Sequence, residues 1–81
     1  MKFNYGKLRG KIKEVFNTQE KFAKTVGMST TTLSAKLNNK IQFSQNEIEK
    51  AVELLKIAKE DIPVYFFTTE VQESELRKDG D

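Results

Sequence analysis

The chain has 81 residues, of which 37% are hydrophobic and 32% are charged, and this composition is typical of one small globular domain with a modest core. It contains no cysteine and no histidine, which excludes disulfides, thiol nucleophiles, Cys/His zinc sites and imidazole acid–base chemistry, so we expect no enzyme, cofactor or metal. No stretch approaches the roughly 20 apolar residues that span a bilayer, and no hydrophobic export signal is evident, so we expect a cytoplasmic protein.

The two halves of the chain differ in charge. Residues 1–40 carry nine basic groups against two acidic ones, a net charge of +7, whereas residues 41–81 carry five against ten, a net charge of −5. A basic half is typical of proteins that bind a polyanion, because neutralising phosphates releases condensed counterions. The alternative is a charged surface clustered by chance, so charge by itself does not decide the function.

Apolar spacing predicts two helices in the first third of the chain. The first begins after Asn4, a candidate N-cap. Its apolar stripe consists of Tyr5, Leu8, Ile12, Val15 and Phe16. Thr18 caps a second, short helix from Gln19 to about Thr25, and Gly27 ends it because glycine tolerates a positive φ.

Three further segments follow. Ser29 caps a third helix over residues 30–37, which Asn38 and Asn39 end. Ser44 and Glu47 have the spacing of a capping box and open a fourth helix with apolar Ile48, Val52 and Leu55. Residues 63–69 are compatible with a short helix, which we favour, or with an edge strand. We expect one domain over residues 1–68 and a frayed, acidic, flexible tail over residues 69–81.

Residues 19–37 have the layout of two short helices joined by a glycine-containing turn. This unit resembles the lambda repressor/Cro-type helix-turn-helix family, and the resemblance covers about residues 5–67. The residues that carry it are Gln19-Glu20-Lys21-Phe22-Ala23, Val26-Gly27-Met28-Ser29, Leu33-Ser34 and Lys36-Leu37-Asn38. Lys36 departs from the family's pattern, which has an apolar residue there, and Asn39 stands where glycine is frequent.

The resemblance implies a compact all-α bundle of five helices that binds duplex DNA sequence-specifically as a phage or prophage transcriptional regulator. Thr30, Thr31, Ser34 and Ala35 would then read base edges from a recognition helix in the major groove. The residues expected to bind backbone phosphate are Gln19, Lys36, Asn38, Asn39 and Lys40. Each assignment has a plainer alternative. Gln19 would only start a helix, and residues 30–32 would form a polar outer face. Lys36 would cover the core, and residues 38–40 would form a turn that binds no ligand.

The aromatic run Tyr65-Phe66-Phe67 has two interpretations. Either it completes the core, or Tyr65 and Phe67 form an exposed apolar patch with Ile57 that serves as a dimer or partner interface. A homodimer would place two recognition helices about 34 Å apart, one turn of DNA. The alternative function is a protein-binding modulator, antirepressor or antitoxin-like, which acts on a partner repressor or toxin through its C-terminal face.

Overall fold

The computed structural model describes residues 2–70, and within them the chain forms five short α-helices and one 3-10 turn. These elements are α1 (Gly6–Phe16), α2 (Gln19–Val26), α3 (Thr30–Leu37), α4 (Gln45–Leu55), the 3-10 turn Lys59–Asp61 and α5 (Ile62–Phe66). This confirms a small all-α architecture, while the lambda repressor-like type of bundle stays a prediction. No helix in the described part is long and apolar enough to cross a membrane.

Local capping determines where α2, α3 and α4 begin. The hydroxyls of Thr18 and Ser29 each accept a hydrogen bond from the amide three residues ahead, at 3.1 and 3.0 Å. Ser44 and Glu47 form the complete capping box, with bonds of 3.1 and 2.9 Å in the two directions. Gly27 ends α2 with a φ of 101°. All four features confirm the predicted boundaries.

Two expectations for α1 were wrong. The side chain of Asn4 accepts a hydrogen bond from the Gly6 amide, but the N-cap position is occupied by Tyr5, whose side chain makes no capping bond. Val15 is 46% exposed rather than part of the buried stripe. Phe16 ends the stripe as expected, and its ring packs edge-on against Phe22 with 5.2 Å between ring centres.

The core lies where all five helices meet. Leu8, Ile12 and Leu33 are fully buried, and the predicted core residue Phe22 packs beside them. The remaining buried hydrophobic residues are Tyr5, Ala23, Val26, Leu37, Ala51, Leu55, Ile57 and Phe66. Ile48 and Val52 are only partly buried and pack against the edge of this core.

The C-terminal segment is a helix followed by a short extended pairing. Residues 62–66 form α5, which confirms the helix that we favoured there. Thr69 then pairs with Phe3 in an isolated antiparallel bridge, and the Glu70 amide donates to the carbonyl of Lys2 at 2.9 Å. Backbone pairing therefore extends two residues past the expected domain end at residue 68. The rest of the expected tail, residues 71–81, lies outside the described residues.

Candidate functional site

The four residues expected to read bases lie together on α3. Thr30, Thr31, Ser34 and Ala35 line one shallow surface depression of about 350 Å³, and Asn38 and Lys40 complete its lining. We call this surface the α3 face. Its grouping follows from helical geometry, since residues three and four apart share one side of a helix.

The α3 face offers short hydroxyl and methyl groups and little charge. Of its six lining residues only Lys40 is charged. The side-chain nitrogen of Asn38 donates a hydrogen bond to the hydroxyl of Ser34 at 3.4 Å, and this bond occupies part of the hydrogen-bonding capacity of the α3 face. Arginine and glutamine, which make the strongest bidentate contacts with bases, do not line it.

Lys36, which was expected to bind backbone phosphate, has its ammonium engaged inside the protein. It is 6% exposed, and its ammonium lies 2.9 Å from Oε1 of Glu47 and donates to the carbonyl of Gln42 at 3.0 Å. The lysine stands at an apolar position, so its stem covers the core as expected, but the charge is neutralised inside the protein. An ammonium bound in this way is not available to an external phosphate.

The same contacts shift the protonation of Glu47. Burial by itself would raise the pKa of this carboxyl group. The hydrogen bond from the Ser44 amide and the hydrogen bond and charge of Lys36 act in the opposite direction, and together they hold the pKa below its ordinary value of 4.5. Glu47 is therefore a stable carboxylate that links the end of α3 to the start of α4.

Asn39, also expected to bind phosphate, has its side chain engaged within the protein. It adopts the left-handed conformation, with a φ of 65°, and ends α3 as predicted. Its side-chain oxygen accepts from the Phe3 amide at 2.8 Å, and its side-chain nitrogen donates to the Phe3 carbonyl at 2.9 Å. Both ends of the amide are thus used to hold the N-terminal segment.

Three expected phosphate ligands are still accessible to different degrees. Lys40 is exposed, and Gln19 is half-buried at the first position of α2. Asn38 is exposed, but its side-chain oxygen accepts from the guanidinium of Arg9 at 2.9 Å. The same guanidinium donates to the carbonyl of Leu37 at 3.1 Å. No local sequence pattern predicts this role of Arg9, because its partners lie 28 and 29 residues away along the chain.

A second candidate surface contains Phe67 but not Ile57. Ile57 is 7% exposed and belongs to the core, so its place in the exposed patch was wrong. Lys56 ends α4 with a φ of 56°, and the Ile57 amide then bonds back to the carbonyl of Val52. This arrangement turns the next apolar residue inward. Phe67 is 50% exposed as expected, and Tyr65 is half-buried against the core.

Phe67 borders an apolar groove that consists of two adjoining hollows. The first, of about 180 Å³, lies between the N-terminal segment and α5, and the second, of about 460 Å³, lies between α4 and α5. Both are lined by Phe43, Ile48 and Phe67, while Phe3 lines the first and Ile62 the second. We call these five residues the aromatic groove.

Two walls of the aromatic groove were missed in the sequence. Phe43 lies edge-on to Tyr5 and Phe66, with ring centres 5.4 and 5.5 Å apart. Phe3 lies edge-on to Phe67 at 6.1 Å. Both phenylalanines stand outside the helical stripes, and an aromatic residue in an otherwise polar connecting segment was the one signal that could have identified them.

Within residues 2–70 there is no group of three or more His, Cys, Asp or Glu side chains that could hold a metal ion. The α3 face and the aromatic groove are both open, shallow surfaces.

Comparisons with known proteins found one family and one similar solved structure. Residues 1–69 match a family described as a protein of unknown function, DUF739. The chain is also similar to the solution structure of the modulator of repression (MOR) of the temperate bacteriophage TP901-1 from Lactococcus lactis. The TM-score is 0.73 and the identity 44%, over 89% of this chain and 97% of that chain. Neither match indicates a catalytic family. None of the curated proteins matches the chain.

Proposed function

The chain belongs to the DUF739 family, and from this membership and its similarity to MOR we propose that it is a phage modulator of repression that binds a partner repressor protein. The observation that carries the proposal is the 44% identity over nearly the full length of both chains. A fold shared without sequence similarity supports no function, but here the two proteins share much of their sequence as well.

The contacts of two expected phosphate ligands support protein binding over tight DNA binding. Two of the five expected phosphate ligands, Lys36 and Asn39, are engaged inside the protein. Phosphate contacts provide most of the affinity of DNA-binding proteins, so their loss weakens the case for a DNA reader. The aromatic groove, in contrast, is apolar surface of the kind that marks protein interfaces.

Direct and sequence-specific DNA reading is the second candidate function. It is favoured by the net charge of +7 in residues 1–40 and by the grouping of Thr30, Thr31, Ser34 and Ala35 on one face. In that case these four residues contact bases, and Gln19, Asn38 and Lys40 contact phosphates. This second candidate function includes a twofold-symmetric dimer of the chain on the operator.

Two binding titrations with the purified chain distinguish the candidates. In the first, the chain is titrated into the repressor encoded beside it, and in the second into the operator DNA of that repressor. The modulator predicts a stable complex with the repressor that Thr31→Ala and Ser34→Ala leave intact. Tight operator binding that either substitution weakens, with no repressor complex, would establish the DNA reader instead.

A further inference from the structure

The aromatic groove is open on a molecule whose other large aromatic side chains are mostly covered. Phe67 is the most exposed of the large hydrophobic residues in the described part. It stands beside Phe3, and the two hollows that it borders adjoin each other along Phe43 and Ile48. A contiguous apolar surface that opens to solvent costs solubility, and in soluble proteins it usually marks a binding site.

Hydrogen bonds hold the walls of the groove in place. Asn39 fixes both the amide and the carbonyl of Phe3, and the adjacent Asn4 amide donates to the Thr68 carbonyl at 2.6 Å. The Thr68 hydroxyl donates to the Val64 carbonyl at 2.7 Å, which fixes the end of α5 beside Phe67. A partner that docks on a preorganised surface loses less conformational entropy than one that must order it.

The same hydrogen bonds indicate what form the partner takes. An extended peptide would bind by pairing with the backbone of the N-terminal segment. The side chain of Asn39 already bonds to the amide and the carbonyl of Phe3 on one edge of this segment. The other edge is paired with residues 68–70. Strand addition at Phe3 is therefore blocked. Two adjoining apolar hollows instead suit a helix, which presents apolar side chains three or four residues apart.

The charge around the groove indicates the partner's polarity. Glu49 is the charged residue among those that line the larger hollow. Residues 41–70 contain six carboxylates and three lysines, which gives this segment a net charge of −3. Opposite charges at the rim of an interface speed association and favour the matching partner.

Resting on the proposed function, we infer that the aromatic groove is the surface that binds the repressor. Its occupant is an amphipathic helix of the repressor. Apolar side chains about one turn apart enter the two hollows, and lysine or arginine residues beside them face Glu49. Phe67 is the central contact, because aromatic residues at the middle of an interface carry much of the binding free energy.

The test measures repressor affinity for the full chain and for two variants matched in exposure. Phe67→Ser removes the central wall, and Val15→Ser removes an apolar side chain of similar exposure from α1, 46% against 50%. We expect Phe67→Ser to weaken binding by at least about tenfold and Val15→Ser to change it by less than about twofold. Circular dichroism checks that both variants are folded.

A charge variant keeps the inference testable if Phe67→Ser proves unstable. Glu49 is exposed on α4, so we expect Glu49→Lys to leave the fold intact. We expect this variant to weaken binding by about threefold or more at low salt and to reduce its salt dependence. Equal affinity and equal salt dependence in Glu49→Lys and the wild type would contradict the basic character of the partner.

The remaining outcomes separate the groove from the function. If the wild type binds the repressor and Phe67→Ser binds equally well, the groove is wrong and the proposed function stands. If the wild type does not bind the repressor, both the groove assignment and the proposed function are wrong. A wild type that sediments as a dimer and a Phe67→Ser variant that sediments as a monomer would assign the groove to a second copy. Nuclear Overhauser contacts between Phe67 and residues 71–81 would assign it to the chain's own terminus, and either result overturns the inference.

Discussion

The ammonium of Lys36 lies 2.9 Å from Oε1 of Glu47 and joins the last turn of α3 to the first turn of α4. The same carboxylate oxygen accepts the Ser44 amide in the capping box. One ion pair, between a buried lysine and a half-buried glutamate, therefore links the helix that carries the α3 face to the helix that carries part of the aromatic groove.

Removal of the lysine is expected to destabilise the protein. Lys36→Ala deletes the cation and leaves a cavity where its stem covers the core, and we expect a loss of about 2–3 kcal/mol in the free energy of unfolding. Lys36→Met keeps most of the stem and should lose less. Urea unfolding measures both variants. A change below about 0.5 kcal/mol in Lys36→Ala would show that the pair contributes nothing to stability.

Lowering the pH should reduce the free energy of unfolding by protonating Glu47. Its folded-state pKa is lowered, so the carboxylate contributes stability above the unfolded-state value near 4.5, and this contribution is lost as the pH falls through the lower folded-state value. Glu47→Gln lacks the titrating group but can still accept a capping hydrogen bond. Unfolding free energies from about pH 6 to about pH 3 should therefore fall more steeply for the wild type than for the variant. Parallel curves would argue against this role.

Asn39 permits a test of how the N-terminal segment is held. Asn39→Gly tolerates the φ of 65° but loses both bonds to Phe3, so we expect a loss of about 1–2 kcal/mol. Asn39→Ala also forces a non-glycine residue into the left-handed region and should lose about 1 kcal/mol more. Hydrogen exchange at the Phe3 amide reports on the bond directly. Unchanged protection in Asn39→Gly would disprove the contact.

Ile12 and Val15, two apolar residues of α1, should respond differently to truncation. Ile12 is fully buried, and Ile12→Ala should cost about 2–5 kcal/mol through lost burial and a cavity. Val15→Ala, at an exposed position on the same helix, should cost less than about 0.5 kcal/mol. Thermal unfolding of the two variants measures the contrast. Similar losses would place Val15 in the core, as its spacing in the sequence suggests.

Much of the fold could be predicted because its signals are local. Ser29, Ser44 and Gly27 each act on amides or dihedral angles within a few residues, so the boundaries of α2, α3 and α4 follow from short stretches of sequence. The α3 face could be predicted for the same reason. Its four central residues belong to one helix, and helical periodicity alone puts them on one side.

The errors concern residues whose surroundings come from distant parts of the chain. Asn39 was assigned to phosphate because the sequence shows an exposed turn, but its partner Phe3 lies 36 residues away. Lys36 was expected to reach outward, and its carboxylate partner on α4 becomes evident only when the two helices are packed. The aromatic groove brings together Phe3, Phe43 and Phe67 from three segments, which no single periodic pattern reveals.

The most direct test of the modulator proposal follows a labelled operator fragment by fluorescence anisotropy. The repressor is titrated onto the operator with and without a fixed excess of this chain, and the chain is titrated alone as the control. We predict that the chain shifts the repressor concentration for half-saturation by about tenfold or more and binds the operator only weakly by itself. An unchanged repressor curve, together with tight and sequence-dependent binding of the chain alone, would contradict the account.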